Sequence, residues 1–342
     1  MAVESAVCEV DPSAEIARDA VIRARQVTIG AGARVAGDVL IEADNVHLGA
    51  ETHICEGCRI GGIKGPAKRF SVGDGFFLGR SSSVLVPEFV AGDYVTIHNH
   101  LLCNGYERCV IGHNSWIGQN CILNSTDELT IGNNVGIGAY SSVYTHAFNG
   151  ELVEGCEIFK TGPVTIGDNA WLIGGYNVIS PGVSLGERSV VLTSSVVSHD
   201  VPKEACVGGV PAKDLSSRIS TYRSIEIPEK VEMMRKFVLE FVAACYGDRA
   251  SETPHGFRVE TSGGTSAVVL VVDEGVPEIH PGTEAAIYTG GLDGWPEEER
   301  VSVFDLSTKL YNKRGTDLER QLIRFMNGYR ARFVPADCPR VK

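Results

Sequence analysis

The sequence has no long apolar run and no excess of positive charge. Its longest aliphatic stretch, residues 267–272, is far too short to cross a bilayer. Residues 1–5 have neither the basic start nor the apolar segment of a signal peptide. With 31 basic and 43 acidic residues, the formal net charge is −12, which argues against a phosphate-neutralising surface. We therefore expect a cytoplasmic protein with no membrane span and no nucleic-acid partner.

The sequence also lacks the paired cysteine motifs of a structural zinc site. Cys55 and Cys58 form a C-x-x-C pair, but no second ligand pair with suitable spacing follows. The ten cysteines occur without a secretion signal, so we expect free thiols rather than disulfides. No metal is expected.

What the sequence does have is a six-residue repeat. Aliphatic residues return every six positions from Ile16 to Val197, with occasional slips of one residue. This period fits neither a helix face nor an alternating strand. It predicts a coil of short stacked strands, with the aliphatic side chains inside and Gly, Asn and Asp at the corners. After Ile166 the repeat slips once, which makes Ile173 the next expected inward residue.

The repeat divides the chain into four parts. We assign residues 1–15 to an N-terminal cap, 16–215 to the coil, 216–252 to a linker and amphipathic helix, and 253–342 to a small α/β domain. The helix over 228–246 is expected to pack on the last turn of the coil or on a neighbouring copy. Further expected elements are strands over 257–261, 267–273, 285–289 and 300–306, and a helix from Asp317 to about Arg330. His255 and His280 have no catalytic partner motif.

The repeat resembles that of the hexapeptide-repeat acyltransferases, most closely from Leu129 onward. The resemblance is carried by Ile131-Gly132-Asn133, Ile166-Gly167-Asp168, Trp171-Leu172-Ile173-Gly174-Gly175, Ser180-Pro181-Gly182-Val183 and Gly209-Val210-Pro211-Ala212-Lys213. The family usually has Trp-Ile-Gly, so Leu172 is one extra residue. The resemblance implies a left-handed parallel β-helix, a homotrimer with active sites between subunits, and transfer of an acyl group from acetyl-CoA or another acyl-CoA. The acceptor would be a hydroxyl or amine of a sugar-like molecule or other small metabolite.

The same resemblance implies a set of site residues. His146, directly before an excursion over residues 147–163, matches the family's catalytic base, and Asn120 matches an asparagine that faces this base, with Asn124 as the alternative. A histidine is suited to move protons near neutral pH. Acceptor contacts are expected from Asn124, Phe148, Asn149 and Glu151, with Phe159 in the same excursion. Coenzyme A contacts are expected from Trp171, Gly174, Gly175, Ser194, Ser195 and Lys213, although Trp171 is also suited to packing.

Two other functions remain open. The coil could be a non-catalytic assembly piece, with residues 253–342 as its interaction module. Alternatively, His98, His100 and His113 could belong to a metalloenzyme similar to the γ-class carbonic anhydrases, which share the coil. That class places a second histidine five residues after Gly-His, and here Gly118 stands at that place. Three ligands are needed and one is missing, so we expect these three histidines to be surface residues.

Overall fold

A computed structural model describes residues 2–158, 160–253, 256–260, 266–271, 283–288, 301–338 and 341. Phe159, His255, His280 and the expected strand residues 261, 272–273, 289 and 300 lie outside these ranges. The chain divides into two compact units, Met1–Tyr222 and Arg223–Pro339. No described helix is both long and apolar enough to cross a membrane.

The first unit is a coil with three faces. The strands of the first face are Ala2–Glu4, Val21–Ile29, Leu40–Leu48, Arg59–Gly61, Ser83–Leu85, Leu102–Gly105, Ile122–Ser125, Ser142–Val143, Val178–Ile179 and Val196–Val197. Val21–Ile29 and Leu40–Leu48 run on into the second face, whose other strands are Val7–Val10, Ala67–Val72, Glu88–Ala91, Cys109–Ile111, Leu129–Ile131, Val164–Ile166 and Ser184–Leu185.

The third face stacks ten parallel strands in chain order. They are Glu15–Ile16, Arg34–Val35, His53–Ile54, Phe77–Leu78, Thr96–Ile97, Trp116–Ile117, Gly136–Ala139, Trp171–Gly175, Val190–Val191 and Cys206–Gly208. Lys213–Asp214 pairs antiparallel with the last of them. Each turn is therefore held by backbone hydrogen bonds to the turns on both sides, so that only the ends of the coil have unpaired edges.

The six-residue repeat arises because one aliphatic side chain per strand points inward. Leu123, Val143 and Ile179 lie in register on the first face and are fully buried. The expectation of a mainly β, parallel β-helical coil is thus confirmed. At the turn of Trp171 the expected anchor was wrong. Leu172, not Ile173, is in register with Ile137 and is fully buried. The extra residue of this turn falls after Leu172.

Three columns of corner residues join the faces, and we name them by position. Corner A joins the third face to the first and contains His100, Asn120, Tyr140, Tyr176 and Ser194. Corner B joins the second face to the third and contains Tyr94, Asn114, Asn134 and Asn169. All of these residues have left-handed backbone, with φ between 53° and 63°. Corner C joins the first face to the second and includes Ser125 and Thr145.

The second unit is a small α/β arrangement, as expected. Its strands are Ala250–Thr253, Gly256–Glu260, Ser266–Val271, Thr283–Tyr288, Ser302–Asp305, Leu310–Tyr311 and Val334–Pro335, and its helices are α1, Ile227–Cys245, and α2, Asp317–Gly328, with a 3-10 turn at Gly247–Arg249. Helix α1 packs on α2 and on two strands of its own unit. The rings of Phe241 and Phe325 meet there at 5.4 Å. The buried side chains of α1 thus belong to the core of the second unit.

Candidate active site

The longest excursion among the described residues of the coil leaves it at corner C, after His146. His146–Ala147 pairs antiparallel with Lys160–Thr161, so a two-residue ladder closes the base of the excursion. Gly162 N–H also donates to the Thr145 carbonyl at 3.1 Å. The stacking continues beyond it, because Val164 pairs with Leu129. The excursion therefore leaves and re-enters the coil at one corner, and it places His146 at the edge of an undisturbed framework.

The ring of His146 is held by Asn124 of the preceding turn. Nδ1 of His146 lies 2.7 Å from Oδ1 of Asn124. The same oxygen accepts a hydrogen bond from the hydroxyl of Thr145 at 2.9 Å. Asn124 and Thr145 are buried, whereas His146 is half-buried. The imidazole is thus fixed from one side by a buried polar network and exposed on the other.

The orientation of the Asn124 amide fixes the tautomer of His146. Nδ2 of Asn124 lies 3.2 Å from the Asn104 carbonyl oxygen, which can only accept a hydrogen bond. Oδ1 must therefore face His146, and Nδ1 must carry the proton that is donated to it. In the neutral ring this leaves the lone pair on Nε2. An imidazole held in this tautomer can accept a proton at Nε2, as a general base requires.

The sequence analysis placed Asn120 against His146, and the structure places Asn124 there instead. Asn120 belongs to corner A, at the opposite edge of the first face, and its backbone N–H donates to the Asn99 carbonyl at 2.9 Å. The sequence offers two asparagines four residues apart. Only the phase of the repeat could separate them, because Asn124 directly follows the inward residue Leu123 at the corner where His146 emerges.

The acceptor residues expected in the excursion divide into two groups. The ring of Phe148 lies 4.7 Å from that of His146, and the side chain is partly exposed. Glu151 instead accepts the backbone N–H of Val153 at 3.0 Å and so stabilises the excursion itself. Asn149 is exposed. Of these three residues, Phe148 is the one whose side chain lies beside His146.

The expected coenzyme residues lie mostly at corner A and at the end of the coil. Gly174, with φ of 70°, forms a bulge in its strand, and the register with the preceding turn shifts there. The buried Asn177 holds the bulge, since its side chain donates to the Ile173 carbonyl at 3.1 Å and accepts the Ser195 N–H at 3.1 Å. The extra residue of this turn therefore forms a β-bulge that specific hydrogen bonds stabilise. Bulges of this kind are often found beside active sites.

The remaining coenzyme residues differ in exposure. Trp171 is half exposed on the third face, directly over Gly136, and Ser194 is exposed at corner A. Lys213 is exposed on the antiparallel strand that ends the coil. Ser195 was expected to line the groove but is fully buried. Its hydroxyl donates to the Leu192 carbonyl and accepts the Gly209 N–H, so it closes the coil internally.

The two groups of site residues occupy different edges of the same chain. His146 and Asn124 lie at corner C, whereas Gly174 and Ser194 lie at corner A. Tyr140 at corner A is six residues from His146, so the two edges are separated by up to about 20 Å of extended chain. The width of the first face lies between them.

The three histidines of the metalloenzyme alternative do not converge. His113 is buried at corner B, where its Nδ1 accepts the Asp93 N–H at 2.9 Å. His98 packs against Trp116 on the third face, and His100 belongs to corner A. The expectation that all three are surface residues was wrong for His113, because its Nδ1 replaces the carboxylate or amide oxygen that neighbouring turns use at this place. Within the described ranges, no three potential ligand side chains are close enough to hold a metal.

Comparison with known proteins gives sequence relatives that match part of the chain. No protein-family model matches the chain. A putative acetyltransferase of Saccharomyces cerevisiae is 35% identical over 124 residues, which are 35% of this chain and 62% of that protein. Galactoside O-acetyltransferase of Escherichia coli is 37% identical over 105 residues, 30% of this chain and 51% of that protein. The chain thus spans about half to three-fifths of the length of these relatives.

Two solved structures are also similar in part. A hexapeptide-repeat acetyltransferase of Vibrio cholerae in complex with acetyl-CoA is 27% identical, with a TM-score of 0.27, over 45% of this chain and 72% of that one. A maltose O-acetyltransferase of Clostridium difficile is 25% identical, with a TM-score of 0.29, over 41% and 70%. In its sequence matches and its six-residue repeat, the chain is similar to the hexapeptide-repeat acetyltransferases.

Proposed function

We propose that the protein is an acyl-CoA-dependent acyltransferase with His146 as its general base. The observation that carries this proposal is the hydrogen-bonded series from the Asn104 carbonyl through the Asn124 amide to Nδ1 of His146. It leaves the Nε2 lone pair of a half-buried imidazole directed away from the network, at the only long interruption of the coil. The proposal is also supported by the names of the two sequence relatives, which are both acetyltransferases.

The reaction follows from that geometry. Nε2 of His146 removes the proton from a hydroxyl or amine of the acceptor as this group attacks the thioester carbonyl. The carbon–sulfur bond of the tetrahedral intermediate then breaks, and Nε2–H returns the proton to the departing thiolate. During these steps the imidazolium is stabilised by the hydrogen bond from Nδ1–H to the neutral oxygen of Asn124.

The coenzyme would lie along corner A. The Gly174 bulge and Gly175 leave room for a close approach of the pantetheine arm to the backbone, and Ser194 offers a hydroxyl on the next turn. Lys213, at the end of the coil, would meet the phosphate groups, for which a cation is suited. We propose acetyl-CoA as the first candidate donor, since the Vibrio cholerae protein was solved with it.

The active site would be assembled between copies of the chain. In one copy the base and the coenzyme residues occupy corners C and A, so a site that contains both requires corner A of one copy to face corner C of another. A cyclic homotrimer, which the family resemblance implies, provides three such sites. The acceptor would be a small polar molecule that enters beside Phe148. We propose a sugar-like acceptor, because one of the relatives is named a galactoside O-acetyltransferase.

Thiol release from acetyl-CoA across a panel of sugars, amino sugars and polyols tests the proposal. The wild type should release coenzyme A with at least one acceptor, and His146→Ala should lower kcat about 10²- to 10⁴-fold. His47→Ala, an exposed histidine on an N-terminal turn, is the matched control and should turn over normally. Unchanged turnover in His146→Ala would show that His146 is not the base. A wild type that does not bind coenzyme A would favour the non-catalytic assembly role.

A further inference from the structure

The hydroxyl of Thr145 is a buried group beside the proposed base, and the reaction has given it no role. Thr145 is fully buried. Its Oγ1 lies 2.9 Å from Oδ1 of Asn124 and 3.2 Å from the carbonyl oxygen of the same residue. The backbone N–H of Asp127 donates to this hydroxyl at 3.0 Å. Thr145 therefore links the backbone of the preceding turn to the side chain that contacts His146.

The bonding partners of the Thr145 hydroxyl determine where its proton points. A backbone N–H can only donate, so Oγ1 of Thr145 accepts from Asp127 and gives its own proton to an oxygen of Asn124. Oδ1 is the nearer of the two oxygens. The hydroxyl proton therefore favours an oxygen, and not the NH₂ group, at this end of the Asn124 amide. It does so independently of the bond that the other end of the amide makes to the Asn104 carbonyl.

The equivalent position in the preceding turn carries a hydroxyl with a different task. Leu123 and Val143 are paired, so Ser125 and Thr145, two residues further along each turn, occupy the same place at corner C. The hydroxyl of Ser125 is also buried, but it lies 2.9 and 2.8 Å from the carbonyl oxygens of residues 107 and 108. Those bonds close the coil internally. At Thr145 the nearer acceptor is instead the side chain that holds the base.

Thr145 also fixes the backbone from which the imidazole extends. It directly precedes His146, and its carbonyl accepts the N–H of Gly162, where the excursion re-enters the coil, at 3.1 Å. Its own N–H lies 3.3 Å from Oδ1 of Asn124. The backbone and the side chain of Thr145 are thus both bound, and the bond at Nδ1 fixes the ring of His146 itself. The geometry of the base therefore depends on Thr145 and Asn124 together.

We propose that Thr145 is a positioning residue for the base. Its hydroxyl holds the Asn124 oxygen toward Nδ1 of His146, which keeps the ring proton on Nδ1 and leaves Nε2 free to accept a proton. Thr145 acts through these two side chains and not by touching the reacting groups. This inference rests on the proposed function, because it concerns the base of that reaction.

Thr145→Val tests the positioning role, because valine has nearly the shape of threonine and lacks its hydroxyl. We expect kcat to fall about 3- to 10-fold, which is the effect of losing one hydrogen bond. The KM for acetyl-CoA should not change. Thr145→Ser keeps the hydroxyl and should have a kcat within about twofold of the wild type.

Ser115→Ala is the matched control for the loss of a buried hydroxyl. Ser115 is fully buried at corner B. Its hydroxyl donates to the Gly132 carbonyl at 2.8 Å and accepts the Val135 N–H at 3.0 Å, so it makes the same two kinds of bond as Thr145. Ser115→Ala should lose stability to a similar extent and keep the kcat of the wild type.

Nitrogen-15 NMR of the neutral His146 ring locates its proton without turnover, which separates this inference from the proposed function. The wild type and Thr145→Ser should be protonated at Nδ1, whereas Thr145→Val should show a larger fraction protonated at Nε2. Thr145→Ala should shift the proton in the same direction, so the test does not depend on the folding of one variant.

Two results would overturn the positioning role. One is an unchanged kcat and tautomer in folded Thr145→Val. The other is a lower kcat with an unchanged tautomer, because the hydroxyl would then stabilise the coil and not the orientation of the base. If Thr145→Val shifts the tautomer but the wild type consumes no thioester with any acceptor, the acyltransferase proposal fails and the positioning role stands.

Discussion

Replacing Asn124 is the sharpest test of how the structure prepares His146. Asn124→Leu keeps nearly the same side-chain volume but removes the oxygen that accepts Nδ1–H of His146 and the hydroxyl of Thr145. The imidazole then loses the constraint that keeps its proton on Nδ1. We expect kcat to fall while the KM for acetyl-CoA stays constant, because corner A is untouched.

The size of the effect follows from the hydrogen bond. Its 2.7 Å length is that of a charge-assisted bond once the ring is protonated in the reaction. Such bonds contribute about 1.5–3 kcal/mol, so kcat should fall roughly 10- to 100-fold. The variant also leaves the Asn104 carbonyl and the Thr145 N–H without their partner, which should cost about 2–5 kcal/mol of unfolding free energy.

Asn124→Asp separates the tautomer from the packing. The carboxylate still accepts Nδ1–H but cannot donate to the Asn104 carbonyl. Asn124→Asp should retain more activity than Asn124→Leu. The rising, low-pH limb of its pH–rate profile should move to higher pH, because a negative charge favours the protonated form of the imidazole. Asn134→Ala at corner B is the stability control. It loses amide hydrogen bonds and should destabilise by about 2–3 kcal/mol without changing kcat.

Nitrogen-15 NMR of the wild-type imidazole measures the tautomer directly. We expect His146 to be protonated at Nδ1 and free at Nε2 in its neutral form. A ring protonated at Nε2 would refute the reasoning, because that nitrogen could not then accept the acceptor's proton. Full activity in folded Asn124→Leu would refute it equally, since the tautomer would then be set by something other than the amide.

Three further predictions concern residues outside the reaction. Burial, and then the charge of Lys230, lower the pKa of Lys309 to about 7 from 10.5, so the unfolded chain holds more protons between these values and stability should rise with pH across that window. Lys309→Met should abolish this rise and increase the free energy of unfolding by up to ~4 kcal/mol near pH 7. Denaturant unfolding of both proteins at pH 7 and pH 10 tests this, and an equal change of the unfolding free energy with pH in the two proteins would contradict it. Because burial raises the pKa of Cys58 to about 11, iodoacetamide at pH 8 should label the exposed Cys8 in the folded protein and Cys58 only after unfolding; peptide mass spectrometry showing equal labelling would disprove it. His113→Asn should retain the thermal midpoint within a few degrees whereas His113→Leu should lower it, because only the former keeps an acceptor for the Asp93 N–H; equal midpoints would exclude that role.

The coil could be predicted from the sequence because its period is a geometric constant. Every strand contributes one inward aliphatic residue, and a run of such residues at six-residue spacing can hardly form another structure. The wrong anchor at Ile173 shows the limit. Leu172 and Ile173 are both aliphatic, and which of them is buried depends on a bulge that Asn177 holds by two hydrogen bonds from four residues away. The order of aliphatic residues around Leu172 does not predict these two hydrogen bonds of Asn177.

The sequence singles out His146 as the proposed base, but it does not identify the side chain that holds its ring. His146 stands out because the excursion interrupts a regular pattern beside it. Asn120 and Asn124 differ only in the corner that each occupies. The six-residue repeat predicts how often the chain turns, but it does not predict which of the two asparagines lies at the corner of His146. The expectation that Ser195 contacts the coenzyme was wrong for a related reason. Ser194 is exposed, and the next residue, Ser195, points into the coil and is fully buried.

The three corners show why residue type alone misleads in this fold. At corner B the same acceptor position, which takes a backbone N–H from the preceding turn, is filled by Asp93, by Nδ1 of His113 and by Asn133 in consecutive turns. A histidine there is a substitute for an amide and says nothing about metals. At corner C, Asn124 supplies an oxygen of the same kind, but an excursion brings the ring of His146 against it, and the hydrogen bond now sets a tautomer. At corner A the amides give way to Tyr140 and Tyr176. Because the backbone is nearly the same in consecutive turns of a column, the role of a corner residue follows from what its side chain contacts and not from its residue type.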